Sequence, residues 1–140
     1  MNIHFKSTTN EWETPQDLFN ELNKEFRFTF DPCATYKNTK CKKFYTKYEN
    51  GLNKSWKGEI VFMNPPYGRE IKKWARKAYE ERKHATIICL VPSRTDTRYW
   101  HNYFMKASEI RFIKGRLKFN KSKNSAPFPS AIIIFKTLAK

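Results

Sequence analysis

The chain has 140 residues, 39% of them hydrophobic and 16% aromatic, which fits one folded domain and argues against disorder throughout. Its 28 Lys and Arg residues outnumber 13 Asp and Glu, and the formal net charge of +15 indicates a polyanionic partner such as nucleic acid. No apolar stretch approaches the ~20 residues of a membrane span and the polar start lacks a signal-peptide core, so we expect a soluble, cytoplasmic protein without membrane contact.

Helix and strand patterns alternate along the chain after a polar N-terminal segment, residues 1–11, which we expect to be flexible. Thr14 and Pro15 are typical of a helix start, as N-cap and first helical residue. The predicted helices cover residues 15–26, 69–82 and 97–106, and the predicted strands cover 27–30, 44–46, 59–63, 85–91, 109–113, 117–119 and 131–135. This alternation predicts one α/β domain over residues 12–140, a Rossmann-like, mostly parallel sheet with helices on both faces.

Three polar segments directly follow predicted strands. They are residues 31–34 (Asp-Pro-Cys-Ala), 64–67 (Asn-Pro-Pro-Tyr) and 92–96 (Pro-Ser-Arg-Thr-Asp). Ligands of open α/β sheets bind at the carboxyl ends of the strands, so we expect these segments to form the site. The three cysteines, Cys33, Cys41 and Cys89, form no CxxC pair, and the histidines are scattered, so the sequence predicts no metal site.

The tetrapeptide Asn64-Pro65-Pro66-Tyr67 is the most specific motif. Its two prolines fix the backbone, the asparagine offers an amide oxygen as acceptor, and the tyrosine offers a flat face for stacking. An ordinary strand-to-helix turn also fits these four residues taken alone, just as Asp31 before Pro32 also fits a turn.

Together with other segments, this motif resembles the phage-type DNA N-6-adenine methyltransferase family, S-adenosylmethionine-dependent amino-methyltransferases with an Asn-Pro-Pro-Tyr motif. The resemblance covers most of the chain in matching order. It runs through residues 12–15 (Trp-Glu-Thr-Pro), 31–34, 50–52 (Asn-Gly-Leu), Trp56, 64–68, 90–97 (Leu-Val-Pro-Ser-Arg-Thr-Asp-Thr) and 115–119 (Gly-Arg-Leu-Lys-Phe).

The resemblance implies that the protein transfers a methyl group from S-adenosylmethionine to the exocyclic amine of adenine in DNA. The catalytic residues it implies are Asn64, Pro65, Pro66 and Tyr67. The Asn64 side-chain oxygen and the Pro65 carbonyl would hold the amine, and Tyr67 would stack on a base flipped out of the helix. No metal, general base or covalent intermediate is implied.

By the same resemblance, nine residues bind the cofactor: Trp12, Thr14, Pro15, Asp31, Pro32, Cys33, Ala34, Glu49 and Asn50. Asp31 would accept a hydrogen bond from the methionine ammonium group, and Glu49 with Asn50 would lie near the cofactor's adenine. The chain has Cys33-Ala34 in place of the usual glycine-rich loop, and it has Asn50 where an aspartate is expected.

Basic side chains that follow the predicted strand 85–91 or lie in residues 114–123 predict the DNA surface, and a solvated hairpin also fits any one of them taken alone. They are Arg94, Arg98, Arg116, Lys118, Lys121 and Lys123, whose charge suits phosphate contacts. We expect a phage- or prophage-encoded enzyme acting in the cytoplasm of a bacterial host, of minimal size and without a separate target-recognition domain.

Other functions remain open on the sequence. A non-catalytic DNA-binding protein of the same fold is one, and an RNA or protein-glutamine amino-methyltransferase is another. A cytosine-ring methyltransferase would need Cys33 as its nucleophile, at a position where cofactor binding is expected.

Overall fold

The computed structural model of the protein describes residues 12–138, so the expected flexible segment, residues 1–11, lies outside the described residues. The helices are α1 (Gln16–Phe26), α2 (Ile71–Glu81) and α3 (Arg98–Asn102), and the strands are β1 (Ile60–Met63), β2 (Thr86–Pro92), β3 (Glu109–Phe112) and β4 (Ser130–Phe135). Two 3-10 turns, Gly51–Asn53 and Phe104–Lys106, complete these elements. The predicted α/β class is confirmed.

The four strands form one mixed sheet in the order β1-β2-β4-β3. β1 and β2 are parallel, with Phe62 opposite Ile88, whereas β4 is antiparallel to both β2 and β3. The prediction of a mostly parallel, Rossmann-like sheet is therefore wrong for these strands. The physical reason lies in residues 113–129, which join β3 to β4 without a helix, and a parallel pair needs a long crossover connection.

A rudimentary strand extends the sheet beyond β1. Phe30 pairs in parallel with Val61, and Asp31 pairs in parallel with Phe44. Residues 27–30 do not form the full predicted strand, because Arg27 adopts the left-handed conformation (φ 57°) that ends α1. This pairing places Asp31 at the same sheet edge as the residues that follow β1.

The core lies on both sides of β2 and β4, whose residues are buried except for Thr86. α1 covers one face through Phe19, whose ring lies edge-on to Phe62 with centroids 5.1 Å apart. β2 was predicted as a strand buried on both faces, and its burial confirms that prediction.

Local structure corrects three sequence predictions. Thr14 does not cap α1, which begins at Gln16 after Pro15 without a side-chain cap, because the Thr14 hydroxyl accepts a hydrogen bond from Asn64 instead. The helix predicted over 97–106 ends early at a break at Tyr103. Residues 117–119 form no strand, and Leu117 accepts one backbone hydrogen bond from the Ala126 amide.

Within residues 12–138, no helix is long and apolar enough to cross a membrane.

Candidate active site

A cavity of about 760 Å³ opens where the carboxyl end of β1 meets the segment around Asp31. Residues from four parts of the chain line it: 12–14, 31–35, the loop from Asn38 to Leu52, and the stretch from Phe62 to Trp74. It is large enough for a nucleoside-sized ligand.

The structure brings together most of the predicted site residues. Those that line the cavity are Trp12, Thr14, Asp31, Pro32, Cys33, Ala34, Asn50, Asn64, Pro65 and Pro66. Pro15, Glu49 and Tyr67 do not line it, nor do any of the six predicted DNA-binding residues.

The side chain of Asn64 is fixed by three hydrogen bonds. Its Nδ2 donates to the Trp12 carbonyl and, over 2.9 Å, to the Thr14 hydroxyl. Its Oδ1 accepts from the Tyr67 phenol over 2.8 Å. Both amide hydrogens are thereby used, and because an amide oxygen has two lone pairs, one acceptor position of Oδ1 remains for a ligand.

The backbone of the tetrapeptide offers a second acceptor. Pro65 is buried at the cavity wall, and among residues 12–138 no backbone group donates to its carbonyl oxygen. Proline lacks an N–H and restricts φ, so the two prolines hold this carbonyl in a fixed direction. The site therefore presents two preorganised acceptors.

Tyr67 is buried, with 5% of its surface exposed, inside a cluster of aromatic rings. Trp12 lies nearly parallel to its ring, 17° apart with centroids 6.3 Å apart. Phe119 and Phe128 stand edge-on to both rings. Trp12, not Tyr67, is thus the aromatic residue of this cluster that lines the cavity.

Asp31 places a carboxyl group in the cavity wall with little solvent around it. It is 5% exposed, and burial raises its pKa to about 6 despite long hydrogen bonds of 3.4 Å from the amides of Cys33 and Lys40. A buried carboxylate of this kind is stabilised by a cationic ligand.

Cys33 borders the same cavity but does not have the properties of a nucleophile. Burial, and secondarily the charge of Asp31, hold the pKa of its thiol well above the usual range. The thiol donates to the Asn64 backbone carbonyl over 3.5 Å. A protonated thiol disfavours the cysteine-nucleophile alternative.

Gly51 is a site residue that the motif analysis included only as part of a segment. A Cβ at this position would lie 2.3 Å from the Pro32 carbonyl oxygen, so only glycine allows the two cavity walls to approach this closely. The Trp56 indole donates to the Gly51 carbonyl over 3.1 Å and holds the turn. Asn50 precedes it in the left-handed conformation and accepts from the Leu52 amide.

Glu49 is used locally. Its carboxylate accepts from both the amide and the hydroxyl of Thr46 over 2.6 Å, which lowers its pKa. It therefore caps the turn whose other residues, Thr46, Lys47 and Asn50, line the cavity.

All six predicted DNA-binding side chains, Arg94, Arg98, Arg116, Lys118, Lys121 and Lys123, are exposed. Within the described part of the chain none of them forms an ion pair with an acidic side chain. Four of them lie on the 113–129 loop that also carries Phe119 and Phe128. The charge of this loop is thus available to a ligand.

Among the described residues, no group of three His, Cys, Asp or Glu side chains could hold a metal ion.

The chain is similar to one protein family and to proteins of two bacteriophages. The model of one protein family, described as DNA N-6-adenine-methyltransferase (Dam), matches residues 3–140. A protein of Haemophilus phage HP1 described as DNA N-6-adenine-methyltransferase is 32% identical over 111 residues, which cover 77% of this chain and 64% of that protein. A protein of Escherichia phage T1 with the same description is 31% identical over 109 residues, 76% of this chain and 45% of that protein. The aligned part of the chain thus spans about half to two thirds of the length of these curated relatives.

Proposed function

We propose that this chain, which belongs to the DNA N-6-adenine-methyltransferase (Dam) family, transfers a methyl group from S-adenosylmethionine to the exocyclic amino group of adenine in DNA. The observation that carries this proposal is a single cavity that holds both the fixed Asn64 amide and the buried Asp31 carboxyl. The Asn64 amide oxygen can accept a hydrogen bond from an amine, and the Asp31 carboxylate can pair with an amino-acid ammonium group.

Asn64 and Pro65 would act on the adenine amine. The lone pair of this nitrogen is delocalised into the ring, which makes it a weak nucleophile. Two acceptors, Asn64 Oδ1 and the Pro65 carbonyl, would take its two N–H bonds and favour a tetrahedral nitrogen whose lone pair is free to attack. The acceptors are fixed beforehand, so they need no reorganisation as charge develops.

The residues around Asp31 fit the amino-acid end of S-adenosylmethionine. Asp31 would accept from its ammonium group, and the small side chains of Cys33 and Ala34 line the cavity beside it. Trp12 and Thr14 would close the cavity from the other side. Pro15, directly before α1, would fix the backbone that connects them to this helix. Asn50, in the turn capped by Glu49, would border the adenosine end. When bound, S-adenosylmethionine supplies a methyl group on a positively charged sulfur.

The flipped base would lie against the aromatic cluster of Trp12, Tyr67, Phe119 and Phe128. Trp12 covers the Tyr67 ring, so stacking of a base directly on Tyr67 would require Trp12 to move aside. Base–aromatic stacking is worth about 1–3 kcal/mol per base, enough to favour an extruded adenine.

The exposed arginines and lysines of the predicted DNA surface would contact phosphates and so orient the DNA without reading its sequence. The DNA substrate and the phage origin of the relatives support a site of action in the cytoplasm of a bacterial host.

Methylation can be tested by incubating purified protein with S-adenosylmethionine and unmethylated DNA, then analysing the nucleosides by mass spectrometry. We expect N6-methyladenine in DNA digests after incubation with wild-type protein, and far less after the same incubation with Asn64→Ala protein. Parallel incubations with RNA and with a bacterial protein extract test the alternative substrates. Methylation confined to RNA or glutamine would refute the proposed substrate, and S-adenosylmethionine binding without methylation of any of them would favour a non-catalytic protein.

A further inference from the structure

A pair of hydrogen bonds ties Asn120, on the basic 113–129 loop, to Glu13 at the other end of the chain. The Asn120 side-chain oxygen accepts from the Glu13 amide over 2.6 Å. The Asn120 amide donates in return to the Glu13 carbonyl over 3.1 Å. The two residues are 107 positions apart in sequence, so this contact is a tertiary one.

The Glu13 amide belongs to the same planar peptide unit as the Trp12 carbonyl, and that carbonyl accepts from Asn64 Nδ2. Asn120 therefore accepts a hydrogen bond from the N–H of a rigid peptide unit, and the C=O of the same unit accepts one from the Asn64 side chain. Hydrogen bonds in such a chain polarise one another, and a displacement at one end moves the acceptor at the other.

The backbone of the loop is strained at this contact. Asn120 (φ 57°) and Lys121 (φ 58°) both adopt the left-handed conformation that non-glycine residues rarely take. Asparagine tolerates this conformation better than most residues, and lysine has no such advantage. Since such strain persists only where surrounding contacts fix it, the Asn120–Glu13 pair is one contact that maintains the turn.

We infer that Asn120 is a positioning residue for methyl transfer, which fixes the Asn64 amide through the Trp12–Glu13 peptide and links its geometry to the basic loop. This inference rests on the proposed function. Lys118, Lys121 and Lys123 flank Asn120, so phosphate contacts there restrict the turn that holds the peptide. DNA engagement then stabilises the amide in the orientation that accepts the adenine amine.

Three substitutions at position 120 separate the hydrogen bond from the backbone strain. Asn120→Ala and Asn120→Gly both remove the side-chain acceptor, but glycine adopts the left-handed conformation freely. Asn120→Asp keeps an oxygen acceptor for the Glu13 amide. Ser122→Ala is the matched control, because it removes a hydrogen bond within the same loop, to the Asn124 amide, without touching residues 12–14.

The rate is measured as single-turnover methylation of a DNA fragment at saturating S-adenosylmethionine and DNA. We expect Asn120→Ala and Asn120→Gly to lower this rate roughly tenfold with both dissociation constants unchanged within about twofold. Asn120→Asp should restore most of the rate, and Ser122→Ala should match wild type. In an Asn64→Ala background, Asn120→Gly should cause no further loss, since both act on the same amide.

Full single-turnover activity of Asn120→Gly would overturn the inference, as would an equal loss from Asn120→Gly in the Asn64→Ala background. Hydrogen exchange of the Asn64 side-chain amide, followed by NMR, gives a readout that needs no activity. We expect faster exchange in Asn120→Gly than in wild type, and unchanged exchange would also overturn the inference. If wild-type protein methylates no adenine, the proposed function fails, while this exchange measurement still decides whether Asn120 positions Asn64.

Discussion

Asp31 has a carboxyl group that water solvates poorly, and no cationic side chain among residues 12–138 lies within ion-pair distance of it. The pKa of the Asp31 carboxyl is about 6 in the protein without a ligand. A cationic ligand favours the ionised form, so binding lowers that pKa and releases a proton. Affinity should therefore rise as the pH increases through 6 and level off above that value.

Calorimetric titration with S-adenosylmethionine between pH 5 and 7 tests this pH dependence, because the ammonium group of the ligand stays protonated over that range. Wild-type affinity should increase toward pH 7. Asp31→Asn should bind about tenfold to a hundredfold more weakly at pH 7 and lose the pH dependence, since a charge-assisted hydrogen bond contributes about 1.5–3 kcal/mol. Wild-type affinity that is constant or decreases over this range would exclude Asp31 as the ammonium partner.

The Tyr67 hydroxyl gives a second prediction at the scale of one residue. It donates to Asn64 Oδ1 over 2.8 Å and lies 3.2 Å from the Leu90 carbonyl, so it fixes the amide that would hold the amine. Tyr67→Phe keeps the ring and removes the hydroxyl together with its contacts to Asn64 and Leu90. Turnover should fall about threefold to tenfold while cofactor affinity stays unchanged, as expected for a hydrogen bond of about 1 kcal/mol.

Tyr103→Phe is the matched control for Tyr67→Phe, because it removes a phenol hydroxyl whose ring packs on Tyr79 outside the site. Steady-state turnover of the two variants is compared at saturating DNA and cofactor. If Tyr67→Phe turns over like wild type, the ring alone matters and the hydroxyl does not position Asn64.

The 113–129 loop carries four of the six predicted DNA-binding side chains, so the predicted DNA surface can be tested on this element. It joins β3 to β4 without a helix, and it presents Lys121 and Lys123 on its exposed side. Each phosphate contact releases counterions, so the logarithm of affinity falls with the logarithm of salt concentration. Replacing both lysines by alanine should flatten this slope by roughly one unit for each phosphate that the variant no longer neutralises.

Lys57 and Lys83 form the matched control pair. Both are exposed, and the hydrogen bond from Gly58 to His84 places them together at the amino ends of β1 and β2, away from Asn64. Fluorescence anisotropy of labelled DNA at several salt concentrations gives both slopes. Equal slopes for the two double variants would show that the loop is no more important for DNA binding than the rest of the basic surface.

Elements with strong local signals are the ones that the sequence predicts well. The apolar run of β2 and the amphipathic pattern of α1 depend on neighbours in sequence, and both elements form close to the predicted residues. The break after β1 is local as well, because Pro65 and Pro66 cannot continue a central strand. The same local rules fail at Arg27, where the chain ends α1 in the left-handed conformation instead of extending.

Contacts distant in sequence account for what the sequence could not predict. The sequence around Thr14 predicts a helix cap. In the structure its hydroxyl instead accepts a hydrogen bond from Asn64, 50 residues away. β4 runs antiparallel to β2 and β3, and its direction depends on how the long 113–129 loop returns to the sheet. Asn120 belongs to the site only through its contact with Glu13, which no motif reveals.

At the scale of the whole molecule, the sheet determines which residues meet. β1 and the parallel segment at Phe30 end at the same edge, so Asn64 and Asp31, from separate segments of the chain, line one cavity. Trp12 and the 113–129 loop, which are distant in sequence, complete the aromatic cluster around Tyr67. A net charge of +15 favours association with a polyanion, which under the proposed function is DNA.

Asn64 is proposed to act on the amine during transfer and to contribute little to binding. Asn64→Ala protein is compared with wild type in two experiments. DNA that contains a fluorescent adenine analogue reports base flipping, and a single-turnover assay on the unlabelled fragment reports methylation. We predict unchanged cofactor and DNA affinity, normal base flipping and a methylation rate lowered about a hundredfold to a thousandfold, the loss expected for one preorganised acceptor. A methylation rate equal to that of wild type would contradict the account.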